Sequence, residues 1–233
     1  SDVIMLQQIK LISCGYNKFK LGIILKDKNL IQTIGNTLRR VLMSDVVGYM
    51  VIGINIDGIY NEIDKINEIK EDVIEIINNI KQLEFLCQDR RNIFKAVINT
   101  SKRGKVLASD IYLPDGVLIF NCNQYICNLG IGIRFRCELV VACGKGYLTA
   151  TEVRDMYNPC LYGCLILDVD FNPIKQVSFK IIKHEFNMYS QEEAELIIET
   201  NGSMNVVEVI FECCLNLNKN LNSIKESLRT GLS

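Results

Sequence analysis

The sequence predicts an α+β fold in which an outer αβ part, residues 1–47 and 173–233, is interrupted by a β-rich insert over residues 48–172. Three observations point there. Apolar and polar residues alternate early in the chain, at Ile9, Leu11, Phe19, Leu21 and Ile23, as they do along half-buried strands. Between Phe94 and Asp170 short strand-like runs are broken by turn signals at Ser101–Gly104, Pro114–Gly116, Gly144–Gly146 and Tyr157–Pro159, and this stretch has a helix of its own. Long helical periodicity appears only near the two ends, over Leu30–Asp45 and Asn205–Leu228.

The first helix is expected from about Leu30 to Asp45. With Leu38 at the centre of the wheel, Leu30, Ile31, Ile34, Val41 and Leu42 fall within ~80° of it, while Asn36, Arg40 and Met43 lie opposite and Arg39 lies near the flank. The run Met50–Ile59 reads as a strand that ends in an Asp57-Gly58 turn. A charged loop leads to a short helix over Glu71–Leu83, with Val73, Ile76, Ile77, Ile80 and Leu83 as its stripe and Glu71 and Asp72 favourably placed in its first turn. Beyond the insert, IKQVSFKI and ELIIET read as strands, and Asn201-Gly202 makes a tight turn or helix entry rather than a glycosylated sequon.

The last helix carries Val206, Ile210, Cys213, Leu217, Leu221, Ile224 and Leu228 at spacings of 4, 3, 4, 4, 3 and 4. At 1.5 Å per residue it is roughly 36 Å long, about the width of a small domain. A seam of that length overhangs its own core and calls for a partner helix, most simply a second copy, so a dimer is expected. The alternative is a helix packed wholly on its own domain.

Composition removes several function classes. The chain has 233 residues, 48% of them apolar, enough for a real core. A formal charge of -1, from 26 basic and 27 acidic residues, gives no broad basic field for nucleic acid. No run approaches the ~18 apolar residues of a membrane helix, and SDVIMLQQIK has neither the basic flank nor the cleavage site of a secretory signal. The ten cysteines contain no C-x2-C pair. Cys122/Cys127 and Cys160/Cys164 are the nearest approach to a zinc pattern and their spacing is not typical of one, so small buried hydrophobes in a reducing compartment are expected.

Catalytic signatures are sparse. His184 is the single histidine, on a strand-like run. No phosphate-cradling glycine loop, nucleophile elbow or HExxH occurs, and Gly144-Lys145-Gly146-Tyr147 is too short for the first of these. Glu71/Asp72 and Glu192/Glu193/Glu195 read as helix starts and solvated faces. The basic clusters Arg39–Arg40, Arg90–Arg91 and Lys102–Lys105 are small and lack interleaved aromatics. The rival reading, a thiol enzyme with Cys143 or Cys160 as nucleophile and the insert as its pocket, has His184 as its sole possible histidine base.

The run Gly35-Asn36-Thr37-Leu38-Arg39-Arg40-Val41-Leu42-Met43-Ser44 resembles the α-subunit of multisubunit RNA polymerase. Four further blocks follow in the family's order: Asn55–Gly58, Lys70–Ile77, Gly144–Tyr147, and Phe171–Lys175 with Glu199–Ser203. The resemblance implies an αβ dimerisation domain with a β-rich insert, a non-catalytic subunit of a nucleotidyltransferase that scaffolds assembly, and as partners a second α-subunit and the β and β-prime subunits. It implies no cofactor in this chain, the catalytic magnesium and any zinc belonging to other subunits, little direct DNA contact and no membrane.

By the same resemblance, Asn36, Arg39, Arg40, Met43 and Ser44 face β, with Arg40 the second Arg of the motif, and Pro173, Ile174 and Lys175 lie in the region that meets β-prime. Ile34, Leu38, Val41 and Leu42, with Val206, Ile210, Cys213, Leu217, Leu221 and Ile224, form the expected dimer interface. The sequence departs from the family at Asn61–Ile69, which lacks the usual small residues, and at Met204-Asn205-Val206, which replaces a proline-containing start of the last helix. It ends soon after that helix, before the DNA-binding C-terminal domain of bacterial members, through trimming or a naturally short subunit. Ala108–Pro114 and Asn123–Cys127 look more like plastid members. Ile is about one residue in seven and Asn about one in eleven, an AT-rich signature. A plastid or apicoplast of such a lineage is therefore expected, the bacterial cytoplasm being the alternative.

Overall fold

The computed structural model describes residues 8–15, 17–25, 28–182 and 192–231. The chain divides into two compact units, one made of the residues up to Val46 and those from Asn172 onward, the other of Val47–Phe171.

In the outer unit four antiparallel strands lie in the order Gln8–Cys14, Lys18–Leu25, Glu192–Thr200, Ile174–Ile182. Alternation along the second strand sends Phe19, Leu21, Ile23 and Leu25 to one face, where they meet Ala194, Leu196 and Ile198 of its neighbour. Helix Lys28–Ser44 covers that face with Ile31, Leu38 and Leu42. Each such side chain taken fully out of water contributes roughly 1.5–3 kcal/mol. Leu30 differs from the wheel's expectation: it stands at the edge of the stripe and remains 37% exposed. Gly35 lets the helix approach strand Ile174–Ile182 closely, for a Cβ there would lie 2.0 Å from Phe179 Cε2. On the strands, Lys20 and Lys18 pair with Glu195 at 2.5 Å and Glu199 at 2.8 Å. Pairs as accessible as these contribute at most about 1 kcal/mol each.

Asn172 fastens the end of the first helix. Its amide donates to the carbonyls of Leu42 (3.3 Å) and Met43 (2.6 Å), and its Oδ1 accepts from Ile174 N at 2.9 Å. Two of the carbonyls left without intrahelical donors at a helix terminus are thereby satisfied. The last helix spans Val206–Gly231, 26 residues or about 39 Å. Asn205 begins it by accepting from Val207 N at 3.1 Å.

The insert unit is built on a five-stranded antiparallel sheet, in the order Leu165–Ile166, Val47–Ile56, Phe135–Lys145, Ile93–Thr100, Ile111–Tyr112. Its central strand is continuously apolar and buried over Leu139–Ala142, where both faces are covered. Leu139 and Val141 join the core under helix Val73–Ile80, while Val140 and Ala142 join a smaller core with Val153 of helix Ala150–Tyr157. A bulge between Val51 and Gly53 lets Val51 and Ile54 share one face while Ile52 takes the other. Gly144 admits the Phe171 ring, which a Cβ would meet at 2.6 Å, and Gly146 turns the chain at φ +64.

The helix expected over Glu71–Leu83 is shorter, Val73–Ile80, because Asp72 is its cap and accepts from Glu75 N at 2.8 Å. Glu71 is not solvated, as its position in a charged run had implied. It is 4% exposed, accepts from Asn128 N at 2.7 Å and accepts a hydrogen bond from the Tyr125 hydroxyl. The partners that bury it lie more than fifty residues away, beyond the reach of local pattern.

Candidate interaction surface

Helical spacing sorts the outer unit's first helix into two roles. Its inner face is spent on the core, and Asn36, Arg39, Arg40, Met43 and Ser44 are all exposed. Ser44 is partly engaged locally, its hydroxyl donating to the Arg40 carbonyl at 2.8 Å. In the strand that follows Asn172, Pro173 and Ile174 are buried and Lys175 is exposed, so Lys175 alone of those three presents a side chain outward. Helix and strand together form a concavity of about 270 Å³ lined by Arg39, Arg40, Met43, Lys175, Gln176 and Val177. Among the described residues none of its three cations has a carboxylate partner. Like charges held around an apolar floor of Met43 and Val177 focus a positive potential there.

The ten residues expected at a dimer interface separate in the structure. Leu38, Leu42, Val206, Ile210 and Cys213 are already buried in the outer unit's own core and have little surface left for a second chain. Ile34, Val41 and Leu217 are half-buried. Leu221 and Ile224 are exposed at 65 and 58%, as is Leu228 one turn further on at 61%. Val207, Phe211 and Leu215 form a further exposed stripe at spacings of four, which the sequence reading passed over because it followed the seam through Val206 and Ile210. Exposed apolar residues in rows of this kind mark interaction surfaces.

The insert assembles no thiol active site among the described residues. Burial raises the Cys143 thiol, the wrong direction for a nucleophile, and pushes Cys127 up to about 12, with Glu71 adding to it. Cys160 is exposed, and His184 lies outside the described residues. Cys122 is exposed and Cys127 buried, and no three His, Cys, Asp or Glu side chains among the described residues are grouped to hold a metal. No helix of the described residues is long and apolar enough to cross a membrane.

The RNA polymerase Rpb3/RpoA insert domain matches residues 54–172, half of the chain and nearly all of the insert unit. The chain belongs to the RNA polymerase α-subunit family. The DNA-directed RNA polymerase subunit alpha of Malacoplasma penetrans is 31% identical over 195 residues, covering 76% of this chain and 57% of that protein. The corresponding protein of Aquifex aeolicus is 34% identical over 172 residues, covering 73% and 53%. The chain thus spans little more than half the length of these relatives. Both are bacterial, and the α+β architecture agrees with the one expected from the GNTLRR run and its companion blocks.

Proposed function

We propose that this chain is a non-catalytic assembly subunit of DNA-directed RNA polymerase, which dimerises and then captures the β and β-prime subunits. The observation that carries the reading is the last helix, covered by its own core over its first turns and bare beyond them. Burying Val207, Phe211, Leu215, Leu221, Ile224 and Leu228 on each of two copies releases on the order of 15 kcal/mol, enough to outweigh an association cost of about 4–15 kcal/mol. Ile34, Val41 and Leu217 extend that surface. Asn36, Arg39, Arg40, Met43 and Ser44 supply the β-facing surface, with Arg40 as its anchor, and the resemblance alone points the segment Pro173-Ile174-Lys175 towards β-prime.

The proposal extends to location: the Ile and Asn bias and the plastid-like middle segments favour a plastid or apicoplast of an AT-rich lineage over a bacterial cytoplasm. Co-purification tests the assembly role. Wild-type chain is expected to recover β, and Arg40→Ala to keep fold and dimer while losing about 2 kcal/mol of β capture. Undiminished recovery of β by the variant would remove Arg40 from the interface.

A further inference from the structure

The resemblance divides Arg39 and Arg40 from Lys175, giving them to β and β-prime respectively. The structure places all three around one concavity. We infer that this concavity is a single docking site for one acidic segment of β, in which at least two carboxylates flank an apolar side chain, and that Lys175 reads β together with Arg39 and Arg40. The inference rests on the proposed capture of β.

Size, charge and floor each constrain the occupant. About 270 Å³ lies below the ~300–1,000 Å³ of small-molecule pockets, so it takes a side chain or two rather than a cofactor. The walls offer two guanidinium groups and one ammonium with no carboxylate of the described residues to neutralise them, while Met43 and Val177 make the floor. Guanidinium groups suit planar carboxylates through paired N–H donors, and Lys175 adds a point charge that accepts a second acid from any direction. A nucleic-acid backbone fits less well, since it needs a long basic stripe and three cations in one dent of a chain with net charge -1 do not make one. Asn172 ties the start of the Lys175 strand to the end of the Arg40 helix through both of its amide atoms, so the backbone positions from which the cations extend are fixed relative to each other.

The test measures capture of purified β by the full chain, with β-prime absent, across a salt series. Lys175→Glu is expected to weaken β capture roughly tenfold or more, and Lys175→Ala to flatten its salt dependence. The double variant Arg40→Ala/Lys175→Ala should lose less than the sum of the singles, as groups sharing one acidic cluster do. Lys102→Glu, an exposed lysine of the insert, controls for overall charge, and thermal unfolding checks that the fold is intact. If Arg40→Ala weakens β capture while Lys175→Glu leaves it unchanged, the shared site is wrong and the assembly role stands. If the wild-type chain captures no β, the assembly role itself is wrong and the shared site falls with it. Capture of a short DNA duplex at physiological salt, abolished by Lys175→Glu, would overturn the acidic-segment reading in favour of phosphate.

Discussion

Helix Val73–Ile80 in the insert and helix Val206–Gly231 in the outer unit use the same apolar periodicity to different ends. Every stripe residue of the first, Val73, Ile76, Ile77 and Ile80, is buried within its own unit. The second buries Val206, Ile210 and Cys213 and then leaves Leu221, Ile224 and Leu228 in water. The short helix is buried along its whole stripe, whereas the long one continues beyond the residues that its own core covers. A stripe that stays regular after its own core has run out is selected by something outside the folded chain, and this is the physical basis for placing a second copy there.

Substitutions break that contrast in a graded way. The largest effect on stability is expected from Leu139→Ala, in the centre of the insert sheet with no exposed surface, at about 2–5 kcal/mol in chemical denaturation with oligomeric state unchanged. Leu221→Glu with Ile224→Glu should do the reverse, leaving secondary structure intact by circular dichroism and weakening self-association at least a hundredfold, about 3 kcal/mol. Gly35→Ala drives a methyl into the Phe179 ring and is expected to cost roughly 1–3 kcal/mol, because the ring must leave its rotamer or the helix must lift. Glu71→Ala leaves the Tyr125 hydroxyl and the Asn128 N–H without their acceptor, a loss of about 1–3 kcal/mol read by the same denaturation.

The smallest effect is one of pH. In the insert, burial raises Cys127 to about 12 and also raises Cys137. Thiols whose folded pKa lies above the unfolded value of ~8.5 contribute stability in full below that value, and the contribution is lost as pH rises towards the folded one. The unfolding free energy is therefore expected to fall between pH 8 and pH 10, by roughly 1 kcal/mol per pH unit for each such group, and the denaturation midpoint with it. A midpoint unchanged across that interval would place these thiols in contact with solvent.

Much of the fold was legible because periodicity is local. The alternation Phe19-Leu21-Ile23 and the stripe Val73-Ile76-Ile77-Ile80 each specify a face without knowledge of what covers it. The errors came where a distant partner decides. Glu71 looked like a solvated first-turn acid, yet Tyr125 and Asn128 fold over it. Leu38, Leu42, Val206, Ile210 and Cys213 were expected at a dimer interface, and in the structure they lie within the outer unit's own core. Val207, Phe211 and Leu215 went unnoticed because an exposed apolar stripe differs from a buried one only in what lies opposite. Of the interaction surface, Arg39, Arg40 and Met43 could be placed on a solvent face by the wheel alone. Their meeting with Lys175 depends on Asn172 spanning some 130 residues of sequence, which no spacing rule encodes.

The assembly role turns on whether the bare half of the last helix is an interface. Light scattering of the purified chain at micromolar concentration tests this directly, with the Leu221→Glu/Ile224→Glu variant run beside it. A wild-type mass near twice 26.5 kDa that falls to 26.5 kDa in the variant is the predicted result. A wild-type chain that stays at 26.5 kDa would contradict it, leaving the helix without a second copy and the proposed assembly role without its first step.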